Sequence, residues 1–133
     1  MIRTFVDSGV LIEAFRGSSA IATSALAILN DPNREFVTSE FVRLEVLPKP
    51  TFQRRHIEVA FYNAFFANAV QSVSLTRALV RLAMRRAEDF GLSAVDALHA
   101  AAAETATAEL ITAERPTSPL SRVTSIRVVS IRP

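Results

Sequence analysis

The chain of 133 residues has no cysteine and, apart from Lys49, no lysine. Without cysteine there is no disulfide and no thiolate metal site, so any metal must sit on oxygen or imidazole, and the composition suits a reducing compartment. Neither a basic leader nor a long apolar segment is present, from which no secretory signal, no membrane association and a cytoplasmic location are expected. There is also no repeat, linker or low-complexity stretch. The charge balance is nearly even, at +2, yet the positive side chains are almost all arginine, whose planar fork suits phosphate. What is present is 50% hydrophobic and 21% charged, enough to bury the core of one domain without staples.

The stretch Met1-Ile2-Arg3-Thr4-Phe5-Val6-Asp7-Ser8-Gly9-Val10-Leu11-Ile12 organises the rest. It reads as an apolar strand that ends on a carboxylate and turns through Ser8 and Gly9 into a helix over 10–15, closed by Gly17. Ser18 or Ser19 then caps a helix with Ile21, Ala25, Ile28 and Leu29 on one stripe. A second strand is expected over 35–38. A helix follows from Ser39 to Leu47, ended by Pro48 and Pro50. Residues 51–68 read as one helix with Ile57, Phe61, Ala64 and Phe65 on its buried face, and 70–75 as a third strand. An amphipathic helix over 76–90 buries Leu79, Leu82, Ala83, Ala87 and Phe90 and stops at Gly91. Ser93-Ala94-Val95-Asp96 fits a capping box leading an alanine-rich helix to Thr105. A fourth strand over 109–112, a loop over 117–123 and a last strand over 126–131 complete the chain. Strands alternating with helical pairs specify an α/β/α sandwich with a mainly parallel sheet of about five strands.

In an open parallel sheet, ligands bind beyond the carboxyl ends of the strands. Asp7 and Glu114 each follow a strand, and Asp96 opens a helix facing the same edge. Glu45 lies in a helix among Phe41, Val42, Leu44, Val46 and Leu47, where burying a carboxylate is expensive unless something neutralises it. A hard divalent cation held by carboxylates would do so. Each acid also has a plainer reading. Asp7 can cap the helix that follows it, Asp96 can be the acidic partner of Ser93 in the capping box, Glu45 a helix-edge charge facing water, and Glu114 a loop charge paired with Arg115.

Phe5-Val6-Asp7-Ser8-Gly9-Val10-Leu11-Ile12, Glu45 within its helix, Val95-Asp96-Ala97-Leu98-His99-Ala100-Ala101-Ala102 and Leu110-Ile111-Thr112-Ala113-Glu114-Arg115 resemble the four successive motifs of the PIN-domain family. Their order and spacing match across nearly the whole chain, so the resemblance implies a single PIN-like domain over 1–133. Within the family the chain is most similar to the small toxins of VapBC-type toxin–antitoxin pairs. That resemblance implies a ribonuclease dependent on Mg²⁺ or Mn²⁺ and a small antitoxin partner. It makes Asp7, Glu45 and Asp96 the core metal ligands and Glu114 the fourth acid, where the family usually has Asp. Ser8 and Thr112 match secondary polar positions beside these acids, and His99 is expected to pack or hydrogen-bond within its helix.

For RNA binding, Arg77, Arg81 and Arg85 recur at i, i+4 and i+8 on one helix stripe, a pattern that also describes a solvated face. The segment holding Phe61, Tyr62, Phe65 and Phe66 has more large side chains than one helix face buries, and suits a homodimer or antitoxin groove as well as a core. Two other readings stand beside the nuclease. One is a PIN-like nucleic-acid-binding or regulatory module that has lost catalysis, suggested by Glu114 in place of Asp. The other is a phosphatase with an Asp nucleophile, for which no further motif is present.

Overall fold

A computed structural model describes residues 1–133, the side chain of Ser19 excepted. The chain runs β1 (Ile2–Val6), α1 (Ser8–Arg16), α2 (Ser19–Leu29), β2 (Arg34–Ser39), α3 (Glu40–Val46), α4 (Pro48–Phe52), α5 (His56–Asn68), β3 (Gln71–Val73), α6 (Arg77–Phe90), α7 (Ala94–Thr105), β4 (Glu109–Thr112) and β5 (Val128–Ser130). A short 3₁₀ turn, Pro119–Arg122, lies in the last connection. The five strands form one sheet in the order β3-β2-β1-β4-β5, and every pairing is parallel. The expectation of a mainly parallel sheet in an α/β fold is met.

β1 is central, and its carboxyl half is buried on both faces. Phe5 lies opposite Val37 of β2 and Leu110 of β4, and all three are fully buried, as strands covered on both faces must be. The chain moves from β1 outward to β2 and β3, then returns to the other side of β1 for β4 and β5. The switch point between β1 and β4 opens a crevice at their carboxyl ends, which is where doubly wound sheets bind ligands. At the opposite edge Arg34 ties three strands together, through Thr4 on β1, Glu109 on β4 and its own neighbour Asp31.

The structure differs from the sequence reading between 47 and 75. α3 ends before Pro48 as expected, at Val46 with Leu47 as its C-cap, but Pro48 at once opens a further short helix, standing in the first turn of α4, where its missing N–H is no loss. The expected helix over 51–68 is broken at Arg54, which takes a positive φ of 56°, and α5 begins only at His56. The buried stripe of α5 is Glu58, Tyr62 and Phe66, one residue later than expected, and Ile57 is 79% exposed. The reason is an ion pair. Arg16 of α1 grips Glu58 through two hydrogen bonds of 2.9 and 3.1 Å, and Tyr62 donates its hydroxyl to the same carboxylate at 2.7 Å. Phe61 and Phe65 pack partly buried against the core, so most of the aromatic cluster is spent on packing. β3 and β5 are also shorter than the expected 70–75 and 126–131.

Candidate active site

Four carboxylates from different parts of the sequence meet at the carboxyl edge. Asp7, Glu45, Asp96 and Glu114 all line one open cavity of about 560 Å³, with Ser8, Glu13, His99, Arg115, Ser118 and Arg132 among its other walls.

Asp7 does two things at once. Its Oδ1 accepts from the Val10 N–H at 3.1 Å and so caps α1, while Oδ2 accepts the Thr112 hydroxyl at 2.5 Å. Thr112 in turn accepts the Glu114 N–H at 3.0 Å, which couples the ends of β1 and β4. Gly9 is needed at this junction, because a Cβ there would come within 2.9 Å of Ala113 Cβ. Burial pushes the Asp7 carboxyl up, more than the hydrogen bonds from Thr112, Val10 and Ala113 and the field of His99 pull it down.

Glu45 is not sunk among its apolar neighbours. Its side chain is 27% exposed at the edge of α3, and its Oε1 accepts from Ser8 Oγ at 2.5 Å and from His99 Nε2 at 2.9 Å. Partial burial pushes this carboxyl up, but the bonds from His99 and Ser8 outweigh it and leave it below the usual range. His99 itself is 3% exposed, wedged between Phe5 and Phe41. It both packs in the core and holds a cavity carboxylate.

Asp96 stands in the first turn of α7, its N–H bonded to the Ser93 hydroxyl at 3.3 Å. Desolvation first, and then the negative charge of Glu114, raise its carboxyl above the usual range. Ser93 is thus the N-cap of α7 and the Asp96 carboxyl lines the cavity, whereas at Asp7 the cavity carboxylate itself caps a helix.

The donors fit a hard cation in kind, since all four acids offer oxygen, and positive charge among them would relieve the raised carboxyls of Asp7 and Asp96. Among the described residues no three His, Asp or Glu side chains already form a chelating group, and one Glu45 oxygen is engaged by Ser8 and His99. Mg²⁺ does not require such a cage, because it usually takes one or two carboxylates with water and substrate phosphate.

Arg77, Arg81 and Arg85 are exposed on α6 and are absent from the cavity walls. The cavity's arginines are Arg115 and Arg132, the latter bonded to Ala113 O at 2.5 Å and to Glu13 at 3.3 Å. Sequence reasoning missed Arg132 and Glu13. Only the return of β5 beside β4 brings Arg132 to the cavity, while Glu13 sits on α1 near Asp7, where helical spacing from the first acid was the available signal.

The PIN domain family model matches residues 4–117. No curated protein matches the sequence. Among solved structures, VapBC2 from Rickettsia felis bound to a promoter DNA fragment superposes with a TM-score of 0.72 at 13% identity, over 97% of this chain and 98% of the other. A toxin–antitoxin complex from Klebsiella pneumoniae gives 0.71 at 18% identity, over 96% and 97% of the two chains. VapC20 from Mycobacterium tuberculosis, a sarcin-ricin loop cleaving toxin, gives 0.66 at 17% identity, over 93% and 98%. At these identities the likeness establishes the shared fold.

Proposed function

The chain belongs to the PIN-domain family, a family of nucleases, and on that premise we propose that it is a divalent-metal-dependent endoribonuclease, the toxin of a toxin–antitoxin pair. The observation that carries this reading is the convergence of Asp7, Glu45, Asp96 and Glu114 on one cavity at the switch point of the sheet. The reading takes residues 1–133 as a single PIN-like domain, working in the cytoplasm as a homodimer and inhibited by a small antitoxin. Among the described residues no helix is long and apolar enough to cross a membrane.

A bound Mg²⁺ or Mn²⁺ supplies charge neutralisation at the phosphodiester and a water of lowered pKa. Asp7, Glu45, Asp96 and Glu114 would hold it. Thr112 fixes the rotamer of Asp7, and Ser8 and His99 fix that of Glu45, so two of the four carboxylates are set before substrate arrives. Arg115, exposed on the cavity wall, would attract an RNA phosphate, while Arg132 is paired with Glu13.

Incubation of purified protein with a mixed RNA pool tests the proposal. Cleavage is expected with Mg²⁺ or Mn²⁺ and none with EDTA; RNA that is bound but left intact under all three conditions would instead support the binding module that Glu114 suggests. His99 is expected to act as a positioning residue. His99→Phe should weaken Mn²⁺ binding roughly tenfold by calorimetric titration, with His99→Gln recovering part of the loss. Equal affinities in all three proteins would show that Glu45 is held without it.

A further inference from the structure

The connection from β4 to β5 builds a second hollow beside the acidic cavity, and we propose that it is a phosphate subsite for the RNA strand flanking the scissile bond. This rests on the ribonuclease reading. The hollow, of about 440 Å³, is lined by Arg115, Ser118, Ser121, Arg127 and Ser130 against an apolar wall of Val128 and Val129. Arg115 and Ser118 line both spaces, so a strand leaving the carboxylates passes directly into the hollow.

The two spaces differ in charge. The first carries five carboxylates, those of Asp7, Glu13, Glu45, Asp96 and Glu114, whereas no acidic side chain lines the second. Its guanidinium groups are available. Arg127 is 78% exposed, and its ion pair among the described residues is with Glu109 at a long 3.8 Å, a carboxylate already held by Arg34. Arg115 is exposed at the junction. Ser118 packs at the junction with its hydroxyl turned away from solvent, so the positive charge of the hollow rests on the two arginines. The other hydroxyls shape the wall: Ser121 donates to Ser118 O at 2.6 Å and Ser130 to Glu114 O at 2.5 Å. Phosphate contacts of this kind position a strand without reading its sequence. The valines offer an apolar surface to a sugar or base.

The test is binding of a short labelled single-stranded RNA of mixed sequence in EDTA, followed by fluorescence anisotropy over a salt series, for native protein and Arg127→Gln. The variant is expected to bind about three- to tenfold more weakly, with a log–log salt slope smaller by about 0.7. Unchanged affinity and slope in Arg127→Gln and in the double variant Arg115→Gln/Arg127→Gln would overturn the subsite. Because binding is read without metal, native protein that fails to cleave RNA contradicts the ribonuclease reading and leaves this measurement standing.

Discussion

Asp7→Asn is expected to lower RNA cleavage by at least about a thousandfold while raising the melting temperature of the metal-free protein. The first effect follows from the loss of a carboxylate whose interaction with a cation is worth several kcal/mol, each 1.36 kcal/mol being about tenfold in rate. The second follows from burial. Asp7 is 6% exposed, and its carboxyl is held above the usual range because desolvation outweighs the bonds it accepts. The folded chain therefore binds a proton that the unfolded chain has released, and stability from this group falls as pH rises from the ordinary Asp range through the folded value. Asparagine does not titrate, and its carbonyl oxygen still caps α1. The melting difference between variant and native should be smallest in acid and widen toward neutral pH, where a gain of about 1 kcal/mol is a rise of roughly 3–5 °C. Melts in EDTA across that range check it, and a variant less stable than native at neutral pH would refute it. Added Mn²⁺ should then stabilise the native chain by mass action and leave Asp7→Asn nearly unmoved.

The largest loss of stability is expected at Arg16, outside the cavity. Glu58 is 3% exposed and ionised: burial raises its carboxyl, but the hydrogen bonds from Arg16 and Tyr62 outweigh this and hold it below the usual range. Arg16→Ala leaves that carboxylate buried without its main partner, at a cost of about 3 kcal/mol, or roughly 10 °C in melting temperature. The pair's contribution is present above the ordinary Glu range and is lost as pH falls through the depressed folded value. The native chain should therefore lose its advantage over Arg16→Ala in acid. Replacing both charges, Arg16→Met with Glu58→Gln, whose amide oxygen can still accept the buried Tyr62 hydroxyl, should restore part of the stability, because the desolvation cost goes with the charges. Thermal denaturation of the two variants distinguishes this from a packing role for Arg16, in which the double variant would be no better than the single.

The same pair explains where sequence reasoning fell short. β1, β4 and α7 were legible because their residues obey a simple rule each: short runs with an apolar centre just before an acid-bearing turn, and a serine cap before an alanine-rich run. In α5 the buried position of one turn is a glutamate, and periodicity alone moved the stripe to Ile57, since a buried acid is recognisable only once its arginine, 42 residues away, is known. Pro48 was legible as the end of α3 but not as the start of α4, because a proline that stops one helix can also stand in the first turn of the next. At the site, Asp7 and Asp96 were assigned either to helix starts or to the cavity, whereas the structure gives Asp7 both roles and leaves the capping of α7 to Ser93. His99 was expected to be structural, and its Nε2 turns out to face Glu45. Arg132 and Arg127 come near the β4 edge only through strand order, which no local pattern encodes.

The most direct measurement is the rate of RNA cleavage as Mn²⁺ is titrated into metal-free native protein, with Asp7→Asn and Asp96→Asn prepared identically. The four-carboxylate account predicts a rate that saturates with metal in the native chain and stays at background in both variants. Equal cleavage by native and variant proteins, or cleavage indifferent to metal, would contradict it.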